Sequence, residues 1–379
     1  MNLLAWTVTG LLGVFTVRRY LYWFASLLPA RPHAPSRTRS IVVLVAARNE
    51  AQELPHLLAA LERTDYPADR LSFVVVSDGS GDATPDIVTD WAARHPRAQA
   101  VILAASHGKG GALQAGLAVA PASDLIVVAD ADTTPDPDAL AHLAGAFDDA
   151  ATGAACGYPD PGLVHTSMVS RYAALERWAG HLVTLAGKDR LGAQPPAIGA
   201  FCCFRATALA EAGGFPSDTL AEDIDISMVL SRQGWKTRWV RQAVAREDVP
   251  TDLHDFRLQR LRWSRGLMSS WSKARGVEDL FVVAGYLDRL AFVAGVGLVV
   301  LGLAPAWVPI GYTAAPLIIV ATALVRAGAP DKLAYLWSIG PMTLADIGVT
   351  LESALPRFAK APLSWRSEGR RKQDSETAP

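Results

Sequence analysis

The sequence predicts an α/β domain that lies between apolar helical segments at both ends of the chain. The chain has 379 residues, of which 50% are hydrophobic and only 19% are charged, whereas an ordinary soluble domain is about 25% charged. The apolar excess lies at the two ends, and the middle alternates short apolar runs with amphipathic stretches. We therefore expect a membrane-associated globular protein.

Composition excludes several other classes of protein. Cys156, Cys202 and Cys203 are too few for a disulfide scaffold, and they favour a reducing compartment. The formal net charge of -1 argues against a nucleic-acid binder, so no nucleic-acid partner is expected. The high apolar content argues against disorder over most of the chain.

Residues 1–33 are predicted to form an uncleaved transmembrane helix and a linker. The run from Met1 to Val17 has no ionisable side chain and precedes Arg18 and Arg19. A secretory signal peptide carries its positive charge before the apolar run, which is the opposite order. Because arginines favour the cytoplasmic flank of a membrane helix, the domain that follows is expected to be cytoplasmic.

Residues 279–360 are predicted to form transmembrane or interfacial helices. The runs 290–303 and 310–325 can each cross about 30 Å of hydrocarbon once their flanks are included. A third run contains Asp346 and Glu352, which are costly at the bilayer centre, so it is either a further span or an interfacial helix. The basic and polar tail, residues 361–379, is expected to be cytoplasmic, which favours two spans. Alternatively, these runs are core helices of a soluble protein.

Residues 34–250 are predicted to contain a doubly wound parallel sheet. Continuous apolar runs suit strands that are buried on both faces, and they cover residues 41–46, 72–77, 100–103 and 125–129. Between them we expect helices that begin near a capping box at Asn49 and at the Thr84-Pro85 and Thr134-Pro135 pairs. Ligands of such sheets bind beyond the carboxyl ends of the strands.

Polar residues collect at these strand ends. Asp130 and Asp132 flank one alanine after a buried strand, where like charges repel unless a cation lies between them. Mg²⁺ or Mn²⁺ would suit oxygen ligands of this kind. Asp78 alone is equally explained as a turn former, and the glycines around Lys109 as a tight turn, since the P-loop spacing is absent.

The second half carries two further clusters. Glu222, Asp223 and Asp225 stand at a predicted helix start, where acids also simply favour the helix dipole. Gln259, Arg262 and Trp263 lie in a basic, aromatic stretch within residues 251–278, which we expect to form an amphipathic interfacial helix.

Five elements in this order resemble the membrane-embedded family-2 glycosyltransferases of the polysaccharide-synthase type, such as poly-N-acetylglucosamine, chitin, hyaluronan and cellulose synthases. The resemblance covers residues 41–271 and implies a GT-A (Rossmann-like, nucleotide-diphospho-sugar transferase) domain with flanking transmembrane helices. The elements are Arg48-Asn49-Glu50, Asp78-Gly79-Ser80, Asp130-Ala131-Asp132, Glu222-Asp223, and the QxxRW motif of Gln259, Arg262 and Trp263.

The resemblance also implies the roles of the residues. The groups that would bind the nucleotide and its phosphates are Arg48, Glu50, Asp78 and Lys109. Asp132, with Asp130, would bind Mg²⁺ or Mn²⁺ on the diphosphate. The catalytic group would be the base Asp223 with its neighbour Glu222, while Arg262 would face the departing diphosphate. Gln259 and Trp263 would bind the acceptor.

The expected function is inverting transfer of a hexose from a UDP-sugar to a growing β-linked polysaccharide at the inner membrane. N-acetylglucosamine is the preferred sugar and glucose the second. One alternative is transfer of one sugar to a lipid acceptor, and a remote one is a degenerate nucleotide-binding scaffold. Expected partners are a saccharide or lipid acceptor, membrane lipid, and a partner subunit or homo-oligomer, because three or four membrane segments make a small translocation pathway.

Two features depart from the family pattern. Ser77 stands before Asp78, where members often have a second acid, which leaves the nucleotide contact to Asp78. The short polar end of the chain argues against a cellulose synthase regulated by a cyclic dinucleotide.

Overall fold

A computed structural model of the chain describes residues 3–30, 33–197, 199–283, 285 and 287–354. Within these residues eight strands form one mixed sheet in the order β3-β2-β1-β4-β7-β6-β8-β5. The strands are β1 (Ile41–Ala47), β2 (Leu71–Asp78), β3 (Ala98–Leu103), β4 (Leu125–Asp130), β5 (Thr133–Pro135), β6 (Thr152–Asp160), β7 (Phe201–Arg205) and β8 (Lys236–Glu247).

Helices cover both faces of the sheet and form the two ends of the described part of the chain. They are α1 (Leu3–Leu27), α2 (Leu54–Glu62), α3 (Thr84–Arg94), α4 (Gly108–Val119), α5 (Ala139–Gly145), α6 (Met168–Ala179), α7 (Ala186–Leu191), α8 (Ala206–Glu211), α9 (Glu222–Arg232), α10 (Leu253–Ser270), α11 (Val277–Val283), α12 (Leu287–Val300), α13 (Trp307–Arg326) and α14 (Ile339–Ala354). A π-helical turn, Gly180–Leu185, joins α6 to α7, and a 3-10 segment, Pro330–Ser338, precedes α14.

The first half of the sheet is parallel and doubly wound, as predicted. β1 pairs in parallel with β2 and β4, and β2 pairs in parallel with β3. Val42 and Leu44 pack on the side of α4, whereas Ile41, Val43 and Val45 pack on the side of α2 and α3. Each such side chain contributes about 1.5–3 kcal/mol when it is fully buried, which explains the continuous apolar run.

The second half of the sheet contains antiparallel pairs that the sequence did not predict. β7 pairs antiparallel with β4 and β6, and β5 pairs antiparallel with β8. The helix start expected at Thr134-Pro135 was wrong, because these residues lie in β5 and α5 begins at Ala139. β5 is an edge strand, where a proline without an N–H group is tolerated.

The capping box expected at Asn49 was also wrong. Glu53 precedes α2 and makes no side-chain cap. Asn49 has a left-handed φ of 54°, and its side-chain oxygen accepts a hydrogen bond from the Gly81 N–H at 2.8 Å. Asn49 therefore joins the loops that follow β1 and β2.

The N-terminal helix packs against the C-terminal helices. Arg18 and Arg19, which we expected at a cytoplasmic flank, lie within α1. Arg19 forms an ion pair with Asp288 of α12, and the Tyr312 hydroxyl of α13 donates to the same carboxylate at 3.0 Å. A buried charge is stabilised by pairing of this kind, so Arg19 helps to hold α1, α12 and α13 together.

One helix of the described part of the chain has the length and composition of a membrane span. It is α13, whose segment Pro309–Arg326 is 33% buried within the protein. Core helices of soluble proteins share both properties, so the flanking membrane helices remain a prediction. The third apolar run forms α14, which packs on α10 and pairs Asp346 with Arg289 at 2.8 Å. The tail at 361–379 lies outside the described residues.

Candidate active site

The polar residues that follow the strands meet at one edge of the sheet. The N-termini of α4 and α9 lie at the same edge. The loops after β1 and β2 form one side of this region. The Glu50 N–H donates to the Thr84 hydroxyl at 2.8 Å, and the Asn49 N–H donates to the Ser80 hydroxyl at 3.1 Å. Glu50 is buried and Arg48 is half-buried, both in the loop that follows β1. Two candidate nucleotide-binding residues, Arg48 and Glu50, thus lie in one loop that these hydrogen bonds hold in place.

Asp78 is fully buried at the end of β2. Its carboxylate accepts hydrogen bonds from the Ser106 hydroxyl at 2.7 Å, the His107 N–H at 2.7 Å and the Gly108 N–H at 3.1 Å. These bonds fix the loop that leads into α4. In this conformation Asp78 fixes the backbone just before Lys109. The contact of Asp78 with a nucleotide stays a prediction.

Lys109 stands in the first turn of α4 and contacts acids from two other elements. Its Nζ lies 2.5 Å from Asp130 Oδ1 and 3.3 Å from Glu222 Oε1, and it donates to the Gly199 carbonyl at 3.1 Å. Burial alone lowers the pKa of Lys109, but Asp130, Glu222 and Asp223 outweigh burial and raise that pKa above its ordinary value. The lysine is therefore held as a cation between the end of β4 and the start of α9.

Asp223 lies beside this lysine at the start of α9. Its Oδ2 accepts a hydrogen bond from the Gly199 N–H at 3.0 Å, which fixes the orientation of the carboxylate. Burial raises the pKa of the adjacent Glu222, Lys109 lowers it in part, and Asp223 raises it further. The positive end of the helix dipole favours both acids at this position.

The site fits a hard divalent cation. The carboxylates of Asp130 and Glu222 contact the single ammonium of Lys109, and carboxylate oxygens are the ligands that Mg²⁺ and Mn²⁺ prefer. Within the described ranges no group of three His, Cys, Asp or Glu side chains is placed to hold a metal ion. Asp130 and Asp132 are the carboxylates of this strand end that could hold such an ion.

Sequence reasoning missed Glu247, a carboxylate at the end of β8. Strand pairing places it opposite Thr133, the residue after Asp132. Burial raises the pKa of Glu247 to about 7; the Arg177 guanidinium lowers it in part, whereas Asp132 and Asp130 raise it further. The acid belongs to no motif, and only the pairing of β5 with β8 reveals it.

The QxxRW motif lies on α10, which begins a few residues after β8. Gln259, Arg262 and Trp263 are half-buried. The Arg260 guanidinium lies 4.9 Å from the centre of the Trp263 ring. Arg260 also forms ion pairs with Glu176 and Asp346, so the helix is anchored to α6 and α14.

Asp225 connects α9 to the end of α10. Its carboxylate accepts a hydrogen bond from the Ser270 hydroxyl at 2.5 Å and pairs with Lys273 Nζ at 2.7 Å. The three acids near the start of α9 thus divide into two facing the strand end and one holding α10. The sequence could not separate them, because one helical turn carries all three.

The fold is that of known glycosyltransferases. The structure is similar to that of the mannosyltransferase PcManGT from Pyrobaculum calidifontis, solved in complex with GDP-Man and Mn2+, with a TM-score of 0.61 and 22% identity over 93% of this chain and 99% of that chain. This likeness establishes the class: the protein has the mixed α/β GT-A glycosyltransferase fold.

The sequence comparisons give the family. Residues 125–345 match the model of glycosyl transferase family group 2, and residues 38–100 match that of the glycosyltransferase family 25, N-terminal domain. Because the first match covers more than half of the chain, this protein belongs to glycosyl transferase family group 2. Residues 125–345 therefore form a glycosyltransferase domain of this family.

Two curated relatives illustrate the family. An N-acetylglucosaminyltransferase of Mesorhizobium japonicum is 31% identical over 60% of this chain and 55% of its own length. A poly-beta-1,6-N-acetyl-D-glucosamine synthase of Staphylococcus epidermidis is 27% identical over 64% of this chain and 57% of its own length. The chain thus spans little more than half the length of the curated relatives it matches.

Proposed function

We propose that this protein transfers N-acetylglucosamine from UDP-N-acetylglucosamine to the growing end of a β-linked polysaccharide, with inversion at the anomeric carbon. The observation that supports this proposal is the contact of Lys109 with both Asp130 and Glu222. It joins the end of β4, where a diphosphate and its cation would bind, to the start of α9, where Asp223 would act. The names of the relatives favour N-acetylglucosamine, and glucose is the second candidate.

The donor side of the proposed site binds the UDP-sugar. Asp130 and Asp132 would hold Mg²⁺ or Mn²⁺, which when bound neutralises charge on the departing diphosphate. Lys109 and the N-terminus of α4 would stabilise the same negative charge. The proposed nucleotide contacts are Arg48, Glu50 and Asp78.

The acceptor side supplies the base. Asp223 would take the proton of the acceptor hydroxyl as its oxygen attacks the anomeric carbon and the bond to the diphosphate breaks. One displacement inverts the configuration, so an α-linked donor gives a β-linkage. Arg262 would face the leaving group, and Trp263 with Gln259 would bind the acceptor sugar.

We place this reaction at the inner face of the cell membrane. Large apolar side chains cover the outer faces of the terminal helices, which suits contact with membrane lipid. They include Leu3, Trp6, Val17 and Phe24 on α1, Val300 at the end of α12, and Trp307, Ile310 and Val325 on α13. The division into a cytoplasmic domain (34–250), an interfacial α10 region (251–278) and flanking helices belongs to this proposal. The proposal also includes a partner subunit or homo-oligomer.

The proposal is tested by a donor screen. Membranes that contain the full chain are supplied with Mn²⁺ or Mg²⁺ and with UDP-N-acetylglucosamine, UDP-glucose or UDP-glucuronate, and released UDP is measured. We expect release with UDP-N-acetylglucosamine above all, and none after chelation. Absence of UDP release with every donor contradicts the proposal.

The second candidate function is transfer of one sugar to a lipid. The apolar exterior of the helices beside the site favours it, since the same surface can present a lipid acceptor. Sizing of the product separates the two reactions: a ladder of oligosaccharides supports the polymerase, and a glycolipid with one sugar supports the alternative.

A further inference from the structure

Glu247 and Arg177 form a buried ion pair between the proposed donor side and α10. Arg177 lies on α6 and donates to Glu247 Oε1 at 2.6 Å. Both side chains are only 12% exposed. Glu247 ends β8, and β5, which begins directly after Asp132, pairs with this end of β8.

Burial of the Glu247–Arg177 pair lowers the free energy of unfolding, which indicates a role other than stability. Burial of two charges is offset only by good geometry and full hydrogen bonding. Here Glu247 Oε2 is buried and has no hydrogen-bond partner among the described residues. Asp130 and Asp132 add to the negative charge around Glu247, and the Arg177 guanidinium is the opposite charge in direct contact with this carboxylate.

The other contacts of α6 lead to the QxxRW helix. The Arg177 guanidinium lies 5.9 Å from the centre of the Trp263 ring, within the range of a cation–π interaction. The preceding residue, Glu176, pairs with Arg260, which lies 4.9 Å from the same ring. Two adjacent residues of α6 therefore hold the tryptophan on one side and the end of β8 on the other.

We propose that the pair of Glu247 and Arg177 is a positioning element that holds Trp263, and with it the acceptor sugar, in register with the donor bound at Asp130 and Asp132. This inference rests on the proposed function. Without the pair the donor would still bind and its sugar would still be lost to water, but the acceptor hydroxyl would be misplaced.

The two outcomes are distinct reactions of the same donor. In transfer, the bond from the anomeric carbon to the diphosphate breaks and a bond to the acceptor oxygen forms, with the acceptor proton passing to Asp223. In hydrolysis, a water molecule takes the acceptor's place and the free sugar is released with UDP. The ratio of sugar transferred to UDP released therefore reports acceptor positioning, which a general loss of stability would not change.

The experiment uses the full chain in membranes with UDP-N-acetylglucosamine, Mn²⁺ and a chito-oligosaccharide acceptor. We expect Glu247→Gln and Arg177→Met each to lower the ratio of transfer to UDP release by about tenfold or more, the effect of misplacing a reactant by about 1 Å. Arg177→Lys, which keeps the charge, should restore part of the ratio. Affinity for UDP with Mn²⁺ should stay within about threefold of the parent in Arg177→Met.

Arg238→Met is the matched control. Arg238 pairs with Asp189 at 2.7 Å, both side chains are 6% exposed, and the pair lies near the other end of β8, which runs from Lys236 to Glu247. It should lower the melting temperature and leave the ratio unchanged. The inference is overturned if the Glu247 and Arg177 variants lose transfer and hydrolysis in equal proportion, or keep the parent ratio. If the parent chain releases no UDP, the proposed function fails instead.

Discussion

The Nζ atom of Lys109 lies 2.5 Å from Asp130 Oδ1 and links the first turn of α4 to the end of β4. The same atom lies 3.3 Å from Glu222 Oε1, so one ammonium contacts two acids that are separated in the chain by β5, β6 and β7. This arrangement places one positive charge among the acids of the proposed site.

Replacement of Lys109 should disable the enzyme. In Lys109→Met the carboxylates of Asp130, Glu222 and Asp223 repel one another without a cation between them, and a positive charge near the diphosphate is lost. We expect UDP release to fall about 10²–10³-fold, measured at saturating donor. Lys332→Met, which removes an exposed partner of Asp331, is the control and should keep the parent rate.

Replacement of Asp223 should separate chemistry from binding. Asp223→Asn preserves the shape of the side chain and its hydrogen bond from Gly199 but removes the base, so turnover should fall about 10²–10⁴-fold. Affinity for UDP, measured by calorimetry with Mn²⁺, should change little. An equal loss of binding would show that Asp223 has a structural role.

Asp225→Asn is a companion to Asp223→Asn and tests the acid of α9 that holds α10. It weakens the contacts with Ser270 and Lys273 that hold α10, and a hydrogen bond to a charged group contributes about 1.5–3 kcal/mol. We expect a lower melting temperature with the catalytic rate retained per folded molecule. A rate loss as large as that of Asp223→Asn would contradict this division of roles.

The role of Asp132 is tested through the metal. Asp132→Ala should weaken UDP binding in the presence of Mn²⁺ and leave the weaker, metal-free binding unchanged, because the cation would bridge protein and diphosphate. Asp138→Ala, at an exposed position in the following loop, is the control. Unchanged affinity in Asp132→Ala with Mn²⁺ would count against the cation.

The burial of Glu247 predicts a pH dependence of stability. Its pKa rises from 4.5 in the unfolded chain to about 7 in the folded one, so the folded state binds the proton more tightly. This contribution is fully present below about pH 4.5 and is lost as the pH rises through 7. Thermal unfolding of metal-free protein should therefore show a stability that falls between pH 5 and 8, by on the order of 3 kcal/mol.

Glu247→Gln should remove that component of the pH profile. The difference in melting temperature between the variant and the parent should grow in favour of the variant as the pH rises. A difference that is constant from pH 5 to 8 would show that Glu247 does not titrate in this range.

The parallel half of the sheet followed from the sequence because its strands are buried on both faces. The runs that end at Asp78 and Asp130 are continuous, so local composition alone marked them, and the polar residues after them marked the ligand-binding edge. The acids Glu222 and Asp223 were likewise predicted from the local sequence, at a helix start that the structure confirms.

Some features depended on partners that are distant in the chain. Thr134-Pro135 has the local pattern of a helix start, but pairing with β8 makes it a strand. Asn49 has the local pattern of a cap, but its side-chain oxygen accepts a hydrogen bond from the Gly81 N–H instead. In each case the backbone had two comparable local options, and a tertiary contact chose between them.

The sequence by itself thus determined the α/β class, the sheet edge that we propose binds the ligand, and most of its acids, because hydrophobic periodicity is a local property of the chain. Only the tertiary structure decided that Lys109 bridges Asp130 and Glu222, that Asp225 holds α10, and that Glu247 lies beside the aspartate pair. Hydrogen bonds and ion pairs act over a few ångströms, and which side chains come that close is fixed by how strands and helices far apart in the chain pack together.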